Sequence, residues 1–165
     1  MHILMCNDDG ILADGLRRLA SYLSQYYRIT VVAPANEQSA KSHALTTEIP
    51  LKLDAYNGED ENPRLYALTG TPSDCMKFGL SYLLTDDMPD LVISGINHGF
   101  NLGSDVLYSG TVSAAMESCF YGIPGLALSV ERYSPERGDE MHPFIHELIE
   151  KIYVKGNFDG LLNVN

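Results

Sequence analysis

Short apolar runs alternate along this chain with segments whose apolar positions recur every three or four residues. His2 to Cys6 is nearly all apolar, the pattern of a buried strand. From Asp14, with Asp14-Gly15 at its start, Leu16, Leu19, Ala20, Leu23 and Tyr26 fall on one face at helical spacing, and Arg17 and Arg18 face outward. That predicts a helix to about Tyr27. Arg28 to Ala33 is β-branched and apolar, a second strand that Pro34 stops. Strand, helix and strand in this order make a right-handed βαβ unit with parallel neighbouring strands.

The pattern continues. Thr46 to Ala55 and Arg64 to Thr69 read as extended segments around a solvated turn, Asn57 to Pro63. They form a hairpin, or one of them joins the main sheet. Thr71 and Pro72 open a helix to about Thr85. Asp90 to Gly95 is a short buried strand. Ser109-Gly110-Thr111 begins a helix carrying Val112, Ala115, Met116 and Cys119 on one face, which Gly122 and Pro124 end. Gly125 to Val130 is a strand, Glu131 to Glu140 a polar loop, Pro143 to about Val154 a helix, and Leu161 to Val164 a last strand. Strands and helices alternating in this way give an α/β fold with a mostly parallel sheet.

Composition narrows the picture. The 165 residues suit a single domain with a sizeable core, and 45% apolar with 20% charged residues is ordinary for a globular protein. A net charge of −11 argues against binding a nucleic-acid polymer, which needs a basic surface. Cys6, Cys75 and Cys119 are far apart and form no C-x-x-C, so reduced thiols in a cytoplasmic protein are expected. The N-terminus lacks a basic leader, and no apolar stretch approaches the roughly 20 residues that span a bilayer. No membrane partner is expected.

Candidate chemistry gathers where strands end, as ligands in open α/β sheets bind beyond the carboxyl ends of the strands. Asn7-Asp8-Asp9-Gly10 follows the first strand. Two carboxylates about 4 Å apart repel by roughly 4 kcal/mol at an effective dielectric near 20, which water, a proton or a cation must relieve. By itself the run is also an ordinary exposed turn. Gln38 and Ser39 follow the second strand, Asn97 and Asn101 follow the DLVIS strand, and Ser129 ends another. Asp8, Asp9, Ser39 and Asn97 would make an all-oxygen set suited to Mg²⁺, Mn²⁺ or Ca²⁺ rather than zinc. Ser109-Gly110-Thr111 at a helix start can hold an anion such as phosphate, or merely cap the helix. Together these point to metal-assisted hydrolysis of a phosphate ester.

Other features are discounted. The glycines between Gly95 and Gly110 lack G-x-G-x-x-G order, so dinucleotide binding is weakly supported. His142 and His146 are a helical turn apart without an H-E-x-x-H motif, and read as surface or rim residues. Tyr22, Tyr26, Tyr27 and Tyr82 read as packing. His98 lies inside the candidate site loop, as an acid or base or an exposed neighbour.

Asn7-Asp8-Asp9-Gly10, Ala33-Pro34 leading to Ser39, Gly70-Thr71-Pro72-Ser73-Asp74-Cys75, Ser94 to Gly103 (SGINHGFNLG) and Tyr108 to Val112 (YSGTV) resemble, in this order, the SurE family of stationary-phase survival proteins. The resemblance covers essentially the whole chain. It implies a Rossmann-like three-layer fold with a β-hairpin excursion, and metal-dependent hydrolysis of nucleoside 5′-monophosphates, with 3′-monophosphates and short polyphosphate as further substrates. It implies one divalent ion per subunit (Mg²⁺ or Mn²⁺, with Ca²⁺ able to occupy the site) on Asp8, Asp9, Ser39 and Asn97. Asp8, Asp9 and Asn101 would be catalytic; Asn101, Ser109, Gly110 and Thr111 would bind the phosphate. Ala40 departs from the family, which usually has Gly after the metal-binding Ser. Family members also continue beyond the equivalent of Asn165 in arms that exchange between subunits of dimers and tetramers. On this reading residues 1–165 are a single phosphatase domain, truncated and without the swapping arm. Two other readings stand beside it: a non-catalytic nucleotide- or metal-binding fragment, and an aspartyl-phosphate hydrolase of the haloacid dehalogenase type, for which Asp8-Asp9 lacks the D-x-D spacer.

Overall fold

The computed structural model describes residues 1–58 and 60–165; of the turn expected at 57–63, Glu59 lies outside the described residues. Seven strands form one sheet: β1 (His2–Cys6), β2 (Arg28–Pro34), β3 (Leu53–Ala55), β4 (Arg64–Leu68), β5 (Leu91–His98), β6 (Gly125–Val130) and β7 (Leu161–Val164). Their order is β3-β4-β2-β1-β5-β6-β7, and every neighbouring pair is parallel except β3 with β4. Among the described residues four α-helices cover the sheet: α1 (Asp14–Leu23), α2 (Pro72–Phe78), α3 (Gly110–Cys119) and α4 (Pro135–Ile149).

The period-2 alternation of the strands divides the core between two faces. Ile3, Met5, Ile29, Val31, Leu91, Ile93, Leu126 and Leu128 pack with Leu16, Leu19 and Leu23 of α1 and Ile145 and Ile149 of α4. Leu4, Cys6, Val32 and Val92 pack on the other face with Cys75 and Met76 of α2 and Ala114 of α3. Ile3, Leu4 and Met5 are fully buried, each contributing about 1.5–3 kcal/mol by leaving water. The result is the expected three-layer α/β fold. The extended pair is both a hairpin and part of the main sheet, because β4 pairs with β3 on one side and β2 on the other.

Some elements depart from the pattern. The segment from Thr46 is irregular up to Leu53, because its polar groups bond elsewhere: Thr46 donates N–H and hydroxyl to Asp74, 2.9 and 2.7 Å. Residue 13, not Asp14, is the N-cap of α1, and it offers no side-chain bond. Tyr26 is half exposed, and Tyr27 takes the buried place. The segment 131–140 is not all loop. Ser134 accepts from the Arg137 N–H and Pro135 presets the first helical φ, so α4 begins eight residues before Pro143 and carries that proline inside it. His142 is 3% exposed, packed on Tyr22 with ring centroids 5.1 Å apart, rather than a surface residue.

Strand order turns around at β1: β2 and β4 lie on one side, β5, β6 and β7 on the other. The loops leaving the carboxyl ends of β1 and β5 therefore diverge and leave a crevice, the place where open α/β sheets bind ligands.

Candidate functional site

The site is built outward from the end of β1. Asn7, fully buried, accepts the Gly10 N–H on Oδ1 and donates Nδ2–H to the Gly10 carbonyl, both at 3.1 Å. Gly10 closes the turn at φ +101°, a conformation open to glycine. Ile11 N–H donates to the Pro34 carbonyl (2.8 Å) and Gln38 N–H to the Asp8 carbonyl (2.7 Å), so the loops after β1 and β2 are zipped together. That brings Ser39 to the carboxylates.

Asp8 is 7% exposed. The Thr111 hydroxyl donates to its Oδ1 at 2.6 Å. Its other oxygen lies against the start of α3, where a Cβ on Gly110 would stand 2.9 Å from the Asp8 Cβ and 3.2 Å from Oδ2. Only glycine leaves the carboxylate that seat. Burial raises the Asp8 pKa, and the Thr111 bond partly opposes this. Burial also raises Asp9, with help from the charges of Asp8 and Glu37, to about 6, while His98 pulls the other way. Neither carboxylate forms an ion pair with Lys, Arg or His among the described residues.

β5 supplies the facing wall. Its pairing with β6 shifts register between Ser94 and Asn97, at Gly95 with φ +131°. Such a bulge re-aims the side chains after it. The strand runs on to His98, three residues further than its apolar run. Asn97 Nδ2 donates to the Gly99 carbonyl (2.8 Å), which leaves its amide oxygen available. Asn101, 7% exposed, donates Nδ2–H to Ser129 Oγ (2.8 Å) and its N–H to Asn165 Oδ1 (2.7 Å), and its carbonyl accepts from Asn163 Nδ2 (2.9 Å). These partners, one in β7 and one just after it, carry no local signal of their role; the strand alternation does put Asn163 and Asn165 on one face.

A cleft of about 260 Å³ results, lined by Asp8, Ser39, Ala40, Asn97, His98, Asn101, Asp105, Tyr108 and Ser109. Three of the four residues expected to hold a cation line it, and Asp9 stands beside them without lining it. Of the phosphate set, Asn101 and Ser109 line it. Gly110 and Thr111 form the first turn of α3 behind Asp8, and the Thr111 hydroxyl is spent on that carboxylate. Ser109 caps α3 by accepting the Val112 N–H at 3.1 Å. The N–H groups of a helix's first turn lack intrahelical acceptors and carry its positive end.

The donor set fits a hard divalent cation. No trio of His, Cys, Asp and Glu that could hold a metal gathers among the described residues; the crevice offers instead two unpaired carboxylates with a hydroxyl and an amide oxygen, the ligands Mg²⁺, Mn²⁺ and Ca²⁺ prefer. Ser39 now donates to Glu37 Oε1 at 2.7 Å on an exposed loop. Ala40 beside it sits at φ +57°, where glycine is at ease and alanine is not. A larger groove, about 630 Å³, runs past Arg17, Arg18, Asp139 and His142 on the outer side of α1 and α4. There Arg18 and Asp139 satisfy each other. Its other carboxylate, Asp14 in the first turn of α1, shares the groove with Arg17 and Arg18, whereas the crevice lining contains no Lys or Arg.

Comparison with known proteins agrees with this geometry. The family model described as "Survival protein SurE" matches residues 3–165. The chain is 49% identical over 166 residues to the 5′-nucleotidase SurE of Thermoanaerobacter sp. (strain X514), covering 100% of this chain and 65% of that protein. It is 48% identical to the 5′-nucleotidase SurE of Caldanaerobacter subterraneus subsp. tengcongensis, over 99% of this chain and 64% of the relative. The crystal structure of the SurE protein from Aquifex aeolicus superposes with a TM-score of 0.81 at 38% identity, over 94% of this chain and 61% of that one. The chain thus spans a little under two thirds of the length of these relatives.

Proposed function

Because the chain belongs to the SurE family, we propose that it is a metal-dependent phosphatase that hydrolyses nucleoside 5′-monophosphates to nucleoside and phosphate. One observation carries the proposal. A pair of unpaired carboxylates, Asp8 and Asp9, stands at the topological switch point, with Asp8 held by Thr111 at the start of α3. Residues 1–165 act here as one phosphatase domain. No helix among the described residues is long and apolar enough to cross a membrane, and the three cysteines are free; the proposed setting is the cytoplasm. The extra length of the relatives is where homo-oligomeric contacts of the family would lie.

In this mechanism Asp8, Asp9, Ser39 and Asn97 would hold the divalent ion. When bound, it offsets the negative charge of the phosphate and acts as a Lewis acid toward its oxygens. Phosphoryl transfer asks a protein chiefly for positioning and electrostatic stabilisation. The Gly110 and Thr111 N–H groups at the start of α3 receive phosphate oxygens, as helix starts do. Asn101, held by Ser129, Asn163 and Asn165, presents its remaining amide N–H to the same group. Asn7 and Gly10 keep the carboxylates at the crevice, so the site needs little reorganisation when substrate arrives.

The test is phosphate release from AMP and GMP with Mg²⁺, Mn²⁺ or EDTA, in the wild type and in Asp8→Asn. Metal-dependent release that the variant loses, at unchanged circular dichroism, is the expected result. Normal turnover by the variant overturns the assignment. Tight nucleotide binding without turnover under any metal replaces it with a binding module.

A further inference from the structure

The phosphate reading accounts for the inner wall of the crevice but leaves Asp105 and Tyr108 at its mouth without a role. Resting on that reading, we infer that these two residues read the nucleoside: Asp105 accepts the ribose hydroxyls, and the Tyr108 ring carries the face of the base. Both line the cleft. They flank the end of the 3₁₀ turn Gly103–Leu107, and the Tyr108 N–H donates to the Asp105 carbonyl at 3.0 Å. Residues three apart in such a turn eclipse one another, so the two side chains leave on the same side.

Their chemistry fits that place. Asp105 has no ion-pair partner among the described residues. A bare carboxylate repels phosphate and suits an uncharged part of the substrate, and a vicinal diol offers one donor to each of its oxygens. Tyr108 is 65% exposed, a large ring left open at the mouth of a polar cleft. Aromatic faces stack any base. Chain order matches substrate order: Ser109, which caps the phosphate-facing helix, follows Tyr108 directly. The platform is also fixed. Ser42 donates its N–H to the Tyr108 carbonyl (3.2 Å) and its hydroxyl to the Leu107 carbonyl (2.8 Å), so the loop carrying Ser39 holds both. The ligand class is therefore a ribonucleoside 5′-monophosphate, preferred over a sugar phosphate without a base and over a nucleotide without the diol.

The experiment compares kcat/KM at saturating Mn²⁺ for AMP, 2′,3′-dideoxyadenosine 5′-monophosphate and ribose 5-phosphate. Tyr108→Ala should lose about ten- to a hundredfold on AMP, mostly in KM, and at least tenfold more than on ribose 5-phosphate, and Tyr108→Phe should restore AMP. Asp105→Ala should bring AMP down toward the dideoxy substrate. Equal losses on all three esters, or an unchanged AMP to ribose 5-phosphate ratio, overturn the inference while leaving the phosphatase reading intact. If the wild type releases phosphate from none of them, the phosphatase reading fails. The same AMP to ribose 5-phosphate ratio is then read from dissociation constants by calorimetry, and its insensitivity to Tyr108→Ala overturns the inference.

Discussion

Replacing Asp9 by Asn should stabilise the metal-free protein while destroying its response to metal. Asp9 is partly buried and held beside Asp8, and its pKa rises from 3.8 to about 6. At about 1.4 kcal/mol per pKa unit the ionised form costs the fold at most about 3 kcal/mol, which partial exposure reduces to about 2 kcal/mol. The sign follows from linkage: a carboxyl raised on folding binds its proton more tightly in the native state, so stability falls as pH rises between 3.8 and about 6 and stays lower above. Asn carries no charge and escapes this. In EDTA at pH 8 the variant should gain about 2 kcal/mol, roughly 4–8 °C in Tm for a chain of this length, and the gap should close by about pH 4. Mn²⁺ at a hundred times its Kd should add about 2.7 kcal/mol to the wild type and little to the variant. Urea and thermal unfolding at pH 4, 6 and 8, with EDTA or Mn²⁺, measure all of this. A variant no more stable than wild type at pH 8 in EDTA, or an advantage that persists at pH 4, would refute the reasoning that burial, helped by the charges of Asp8 and Glu37, destabilises ionised Asp9.

Thr111→Val keeps the shape of a fully buried side chain but removes the 2.6 Å bond to Asp8. A hydrogen bond to a charged group contributes about 1.5–3 kcal/mol, so phosphate release should fall roughly ten- to a hundredfold and Mn²⁺ affinity should weaken in titration. Ala40→Gly relieves an alanine at φ +57°, a conformation costing about 1–2 kcal/mol, against which glycine's extra freedom in the unfolded chain returns up to about 1 kcal/mol. Calorimetric Tm should rise by about 2–4 °C, and Ala40→Val should lower it.

How much of this could be read from the chain differs by element. The central strands were legible because alternate residues of β1, β2 and β5 serve two buried faces, which leaves long apolar runs. The start of α4 was not, because Glu131 to Glu140 has too few apolar positions to show a period; Ser134 and Pro135 were the only signals, and they look like loop residues. The carboxylates and the Asn97 and Ser39 loops were legible as strand ends. What holds them was not. The Thr111–Asp8 bond joins residues 103 apart in sequence, and only the sheet order brings them together. Ser109-Gly110-Thr111 read as an anion-binding turn or a helix cap; Ser109 does cap α3, and Thr111 spends its hydroxyl on a carboxylate of the chain itself. Asn163 and Asn165 act on Asn101 because β7 lies next to β6, a neighbour relation that no local pattern encodes.

Charge counting then explains why the proposed chemistry requires a cation. Asp8 and Asp9 bring about two negative charges, and a phosphate monoester brings about 1.5 to 2 more at neutral pH. The start of α3 offers about half a positive charge, already shared with Asp8. Among the described residues, no Lys or Arg lines the cleft. The two carboxylates, the helix start and the phosphate together thus carry a deficit of about three positive charges, before the Asp105 carboxylate at the mouth is counted, in a chain already at −11. A divalent ion on the two carboxylates removes most of it; without one, Asp8 and Asp9 would repel the group they are placed to receive. Substrate and ion must therefore each strengthen the other's binding by the same factor, as linkage between two sites demands. The carboxylates that cost the empty fold stability are the ones that create this coupling.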